Sequence, residues 1–301
     1  MTRGEGFPRA IGMMWLILAV LALPVVLSAP LPVHFDQPRV PSAQSWATRL
    51  VIQDEGTKFF CSAALVTEHW VITAAHCVRT HLDGEVLPSS AVTAGVGVSS
   101  GSDPEDGFRT DVDRIEALTP HWDPDTDSWA DDLALVHLRR PAPPALAPLP
   151  LAPLTERNGP VSVGPVFVGY GADRTTPPGA RQSATRRGDW TFTGHCPVKS
   201  NWCAAPSTLS VTFPASGDSG GPVVTYEAGR PALVGTFTGP GPVDATMSPI
   251  QYGASVAAHL PWILGVTGGV PDRPQPSPAR GDQDVTITLA HPELIKSGGT
   301  R

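Results

Sequence analysis

Three groups of residues in this 301-residue chain have the types and spacing needed for chemistry on a carbonyl. The first is Gly217-Asp218-Ser219-Gly220-Gly221-Pro222, a serine set among glycines. A nucleophilic serine needs an exposed hydroxyl, backbone N–H groups aimed at the reacting carbonyl, and no bulky neighbours. Gly217, Gly220 and Gly221 supply that freedom and space. Gly, Asp, Ser and Pro also make ordinary surface turns. From average residue usage, however, a chance match to all six positions in a chain this long is on the order of 10⁻⁴ or less. Such a nucleophile needs a base, and the base an orienting acid.

Candidates for both are present. Val71-Ile72-Thr73-Ala74-Ala75-His76-Cys77 places a histidine after an apolar strand, among small residues that leave its imidazole reachable. A lone histidine is more often structural or merely exposed. Here Cys77 can pair with Cys61 and clamp the loop that carries it. Asp131-Asp132-Leu133-Ala134-Leu135-Val136 opens a second apolar strand with two acids. Asp132 abuts the buried run, where a carboxylate must be hydrogen-bonded to be tolerated. Asp131, one residue further out, is expected to be solvated.

These residues need a scaffold, and the composition points to a β-rich one. Hydrophobic residues make up 41% of the chain, ample for a core, while charged residues are only 16%. Thirty-four prolines and 30 glycines fit many short strands and turns rather than long surface helices. The net charge of −7 gives no attraction to nucleic acid or anionic lipid. Cys61, Cys77, Cys196 and Cys203 form two close pairs, which fits two disulfides in an oxidising compartment. The rival reading is a zinc site, which the lack of any Cys-x-x-Cys spacing disfavours.

Residues 1–29 end in an almost wholly apolar run, Ile11 to Ala29, behind a basic flank. They read as a cleaved secretory signal peptide or as a signal-anchor retained in the membrane through 11–29. Residues 30–44 are a proline-rich leader. A first series of short strands follows within 45–140: Thr48 to Gln53, Phe59 to Val66, Trp70 to Thr73, Ala91 to Val98, Asp111 to Leu118 and Leu133 to Leu138. Between the last two, the aspartates of 121–127 read as a solvated acidic loop, since the glycine and distal glutamate of a calcium loop are missing. Residues 141–154, rich in Pro, Ala and Leu, read as a linker. A second series within 155–267 comprises Val161 to Val168, Trp190 to Thr193, Val223 to Tyr226, Ala232 to Phe237 and Gln251 to Val256, closed by a helix over 257–266. Residues 268–301 read as a disordered tail in which 285–289 could form a short strand. Two series of short strands about a linker imply two all-β domains.

The three motifs, in the order His, Asp, Ser, resemble the chymotrypsin-like (trypsin-family) serine proteases. The match is carried by Thr73-Ala74-Ala75-His76-Cys77, Asp132-Leu133-Ala134-Leu135 and Gly217 to Pro222, and covers roughly residues 45–266. Gly169-Tyr170-Gly171 resembles the family's Gly-Trp-Gly strand, and Pro261-Trp262-Ile263 its C-terminal helix. The resemblance implies an all-β fold of two six-stranded antiparallel β-barrels with a C-terminal helix. It implies a serine-type endopeptidase acting on protein or peptide through Ser219, His76 and Asp132, with Gly217 and Ser219 N–H groups forming the oxyanion hole and no metal or organic cofactor. It also implies disulfides Cys61–Cys77 and Cys196–Cys203.

The chain departs from the family in two places. The Ile-Val-Gly-Gly start whose ammonium pairs with the aspartate beside the nucleophile, here Asp218, is absent. Cleavage at Arg39-Val40, with Val40 as mature N-terminus, is the nearest equivalent for a zymogen. Buried without a partner, Asp218 would be strongly destabilising, so it must have one. In the specificity pocket, Phe213 falls where trypsin has an aspartate, and Thr238, Gly239 and Pro240 would form the walls, which gives no support for cleavage after Lys or Arg. The alternative function is a catalytically silent, protease-like binding module. An α/β-hydrolase esterase is excluded by the order of acid and histidine and by the lack of Gly-x-Ser-x-Gly.

Overall fold

A computed structural model describes residues 44–81, 83–98, 107–152, 164–171, 185–187, 190–193, 196, 198–207, 213–227, 230–243 and 249–269. The apolar segment, the Arg39-Val40 bond and the 285–289 strand lie outside the described residues, as does the tail beyond Gly269.

Strands β1 (Ala47–Asp54) and β2 (Thr57–Leu65) form a hairpin. Its two turn residues, Glu55 and Gly56, both take positive φ, 47° and 81°. That mirror-image turn matches the right-handed twist of the flanking strands. There follow β3 (Trp70–Thr73), β4 (Val92–Val96), β5 (Phe108–Ala117), β6 (His121–Asp123), β7 (Ser128–Ala130) and β8 (Ala134–Leu138). Six of these close into a barrel in the order β1-β2-β3-β8-β5-β4, with antiparallel neighbours throughout. Closure removes free strand edges, and alternate side chains point inward to fill the interior. In β1, Leu50 and Ile52 are fully buried while Gln53 faces out.

The later strands are β9 (Val166–Gly169), β10 (Thr185–Arg187), β11 (Trp190–Phe192), β12 (Asn201–Pro206), β13 (Pro222–Glu227), β14 (Arg230–Thr236), β15 (Gly239–Val243) and β16 (Pro249–Ala254). Among the described residues they form two four-stranded sheets, β10-β9-β13-β14 and β11-β12-β16-β15. An aromatic cluster joins the sheets: Phe167 meets Trp190, Trp202 and Phe237 edge-on at 5.1, 5.5 and 5.7 Å. Trp202 Nε1 donates to the Thr236 carbonyl at 3.0 Å, which satisfies the indole inside this core. The fold is therefore mostly strand with one closed six-stranded barrel, and the second half is consistent with another.

Helix α1 (Val256–Thr267) ends the described chain. Val256, His259 and Ile263 lie on its buried face, and Gly268 stops it in the left-handed conformation at φ 73°.

One local expectation is refined. Within 121–127, His121–Asp123 form β6 and pair with β7 (Ser128–Ala130), while 124–127 remain the mostly exposed turn between them. Trp122 and Trp129 sit opposite each other in this hairpin, with ring centroids 5.4 Å apart. A cross-strand aromatic pair stabilises a short hairpin. The run of aspartates masks this in sequence.

Candidate active site

His76 follows the end of β3, on a 3-10 turn over Ala75–Val78. Two links hold that turn and the end of β3 before it to β2. The Cys61–Cys77 disulfide joins it covalently, and the Thr73 hydroxyl donates to the Ser62 carbonyl at 2.8 Å. Asp132 lies just before β8, which pairs with β3, so barrel closure brings histidine and acid together. One Asp132 oxygen accepts the His76 backbone N–H at 2.8 Å, and the other faces His76 Nδ1 at 2.7 Å. A carboxylate accepts only, so Nδ1 carries the proton and the neutral ring keeps its lone pair on Nε2.

The electrostatics follow from burial. The Asp132 side chain is 2% exposed and that of His76 42%. Desolvation works against the imidazolium, but the Asp132 charge and hydrogen bond outweigh it and hold the His76 pKa above its ordinary value. Desolvation likewise works against the Asp132 carboxylate. The charge of His76 and the hydrogen bonds from its ring and backbone outweigh this, and the Asp132 pKa is lowered. The Thr238 hydroxyl adds a smaller downward pull from beside Asp132, although it is buried there without a hydrogen bond of ordinary geometry.

Ser219 sits on the turn that enters β13, and first-barrel atoms fix that turn. Ser62 donates its backbone N–H to the Ser219 carbonyl at 2.8 Å and its hydroxyl to the Gly217 carbonyl at 2.7 Å. Gly220 donates to the Phe237 carbonyl at 2.8 Å. Gly217 and Gly220 have φ of 96° and 73°, and a Cβ on Gly220 would strike the Thr73 hydroxyl. Glycine is required at 220 for both conformation and space. Among the described residues, the amides of Gly217 and Ser219 find no acceptor within the protein. No hydrogen bond joins Ser219 Oγ to His76; the ring's Nε2 lies 3.8 Å from Cys77 Sγ.

Asp218 is buried, and its carboxylate accepts backbone N–H bonds from Gly171 and Ala215, both at 2.8 Å. Gly169 and Gly171 leave room for it, since a Cβ on either would overlap the carboxylate. Of the residues expected at the specificity pocket, Phe213 is 41% exposed and stacks edge-on against Trp190 at 5.3 Å. Gly239 and Pro240 lie on β15, the outer strand of its sheet. Thr238 lies by Asp132. The four cysteines are paired as Cys61–Cys77 and Cys196–Cys203, so none of them offers a thiolate.

Two features are not anticipated from the sequence. Ser62 looks like any small strand residue, and only the pairing of β2 with the nucleophile's turn shows its role. Asp131, expected to be solvated, is instead engaged by two histidines. Its Oδ1 lies 3.0 Å from His259 Nε2 and its Oδ2 3.5 Å from His121 Nδ1. Residues 128 positions apart meet only because α1 is brought up to the residue that follows β7.

A closed antiparallel barrel, a buried aspartate holding a histidine, and a glycine-flanked serine tied to that barrel define a serine-protease fold. The family model Trypsin matches residues 36–263, and the chain belongs to the trypsin family. It is 30% identical over 203 residues to human (Homo sapiens) serine protease 56, covering 64% of this chain and 32% of the human protein, about a third of that relative's length. It is 27% identical over 235 residues to platelet-aggregating proteinase PA-BJ of Bothrops jararaca, covering 73% of this chain and 89% of the viper protein. Among solved structures, the scabies mite inactivated protease paralogue S-I1 matches with a TM-score of 0.56 at 19% identity, over 77% of this chain and 98% of that one, which shows the shared fold.

Proposed function

We propose that this protein is an extracytoplasmic serine endopeptidase, secreted or anchored by its N-terminal apolar segment, that hydrolyses peptide bonds through Ser219, His76 and Asp132. The observation that carries the reading is the two-point grip of Asp132 on His76, at 2.8 and 2.7 Å, which orients Nε2 as a base. Ser219 Oγ attacks the substrate carbonyl as His76 Nε2 takes its proton. The oxyanion is held by the amides of Gly217 and Ser219. His76 then protonates the leaving amine, and water, deprotonated by the same ring, releases the acyl group. The His76–Ser219 hydrogen bond forms when substrate orders the serine, as catalytic contacts often tighten only in the complex. Two disulfides support an oxidising location.

A silent binding module is the second reading. It is favoured by the missing serine–histidine hydrogen bond and by the likeness to a protease paralogue described as inactivated. A fluorophosphonate probe separates the two. The chain lacking residues 1–29, produced in an oxidising compartment, labels at Ser219, and Ser219→Ala does not. Absence of labelling, both before and after limited proteolysis near Arg39, would overturn the enzymatic reading.

A further inference from the structure

The buried His259 faces two groups that can only accept. Its Nδ1 lies 2.8 Å from the Ser255 carbonyl and its Nε2 3.0 Å from Asp131 Oδ1. A neutral imidazole has one N–H and cannot serve both. If both contacts are hydrogen bonds donated by the ring, to the Ser255 carbonyl and to the Asp131 carboxylate, the ring carries two N–H groups. Asp131 itself takes a left-handed φ of 56°, uncommon for a non-glycine residue and here over-determined by its contacts. Its carbonyl accepts from Leu133 N–H at 2.9 Å, across Asp132. The backbone that presents Asp132 is thus anchored through Asp131 to the C-terminal helix.

We infer that the Asp131–His259 ion pair is a positioning device for Asp132, in which a doubly protonated His259 on α1 holds the loop that carries the catalytic acid and cancels the charge beside it. This rests on the catalytic reading above. Asp131 does not touch substrate; it acts through its neighbour. The other charged groups around His259 are few. His121 lies on the far side of the Asp131 carboxylate at 3.5 Å. Arg79 reaches the Leu118 carbonyl at 2.9 Å, and Leu118 lines the same open cleft of about 330 Å³ as Asp131, His259 and Trp262. The cleft is otherwise lined by uncharged residues.

When the ring loses its proton, one N–H remains for two acceptors, and His259 no longer offsets the negative charge of Asp131 next to Asp132. That charge favours the imidazolium of His76 and shifts the acid limb of kcat/KM to higher pH. His259→Gln imitates this state permanently while keeping a side-chain donor. The double variant Asp131→Asn/His259→Gln removes the charge as well, and asparagine tolerates the left-handed backbone.

Two measurements test the inference. In wild-type protein, ¹⁵N-detected imidazole spectra at pH 6 show His259 protonated on both nitrogens, and Asp131→Asn shows it on one. In the pH profile of kcat/KM, His259→Gln moves the acid limb upward by a few tenths of a pH unit and lowers kcat about three- to tenfold with KM unchanged, in line with loss of an interaction made in the transition state. The double variant returns the limb to its wild-type position. A singly protonated His259 at pH 6 in the wild type overturns the inference, as does an unmoved limb in His259→Gln. The spectra need no turnover, so failure of the catalytic reading is distinguishable from failure of this one.

Discussion

The Ser62 hydroxyl donates to the Gly217 carbonyl at 2.7 Å while accepting the Tyr170 N–H at 2.8 Å. One buried strand residue of the closed barrel thereby holds both the turn of the nucleophile and the Gly169-Tyr170-Gly171 segment that wraps Asp218. Replacing Ser62 with alanine removes both of these buried hydrogen bonds, at a cost of about 1–3 kcal/mol. The peptide between Gly217 and Asp218 is also freed to turn. The expected outcome is a lower urea midpoint together with slower fluorophosphonate labelling. Normal labelling at reduced stability would show that Ser62 supports the fold alone.

Asp132→Asn keeps the shape of the site but can present an N–H to the ring, which favours the wrong tautomer. A loss of about 10⁴-fold in kcat is expected on the proposed mechanism, on the scale of that substitution in Ser-His-Asp enzymes. Steady-state kinetics on a peptide substrate, once activity is detected, would measure it, and a loss below tenfold would remove Asp132 from its proposed role.

His76 must be neutral to accept a proton, and the charge of Asp132 holds its pKa up despite desolvation. The rate of acylation therefore rises with pH through an inflection above the usual histidine value of about 6.5. The sign for stability is opposite. The raised His76 pKa contributes stability that is fully present below the unfolded value and lost as pH rises through the folded one. The lowered Asp132 pKa contributes stability present above the unfolded carboxylate value and lost as pH falls through the folded one. Chemical denaturation at several pH values, compared between wild type and His76→Ala, reads both limbs. A pH-independent difference would contradict the pair.

Gly220→Ala places a side chain at φ 73° against the Thr73 hydroxyl. Backbone strain alone costs of order 1–3 kcal/mol, and relief of the clash displaces the Ser219 turn. Labelling is expected to vanish even in molecules that remain folded by circular dichroism. Retained labelling would mean that the turn can shift without losing its geometry.

The Cys61–Cys77 bridge closes a 16-residue separation that ends beside His76. Loop-closure entropy gives about 3 kcal/mol for a loop of that size. The Cys61→Ala/Cys77→Ala variant should therefore melt several degrees lower, and its acylation should slow because the 3-10 turn has lost its anchor. A melting temperature equal to wild type would contradict the first expectation.

Much of the candidate site is legible in the chain itself. A nucleophile's turn, a small-residue histidine loop and an acid abutting a buried strand are local requirements of the chemistry, so they leave short contiguous signatures. The strands are legible for the same reason, since β1, β3, β8 and β14 are runs whose apolar content is set by burial. The hairpin β6–β7 is not legible, because its stability comes from a Trp122–Trp129 pair across the strands. Strand β15, Gly239–Val243, is not legible either, because its glycines and prolines carry no strand preference and it exists by pairing with β16.

What the sequence alone determined is which side chains could do the chemistry and that they would need a β scaffold. The tertiary structure decided how they are held: Ser62 on the nucleophile's turn, Gly171 and Ala215 amides on Asp218, and His259 on Asp131. The physical reason is range. Residue type and local periodicity act over a few positions, whereas these hydrogen bonds join atoms far apart in the chain, or backbone groups that every residue carries, and arise only when barrel closure and helix packing bring donor and acceptor within reach.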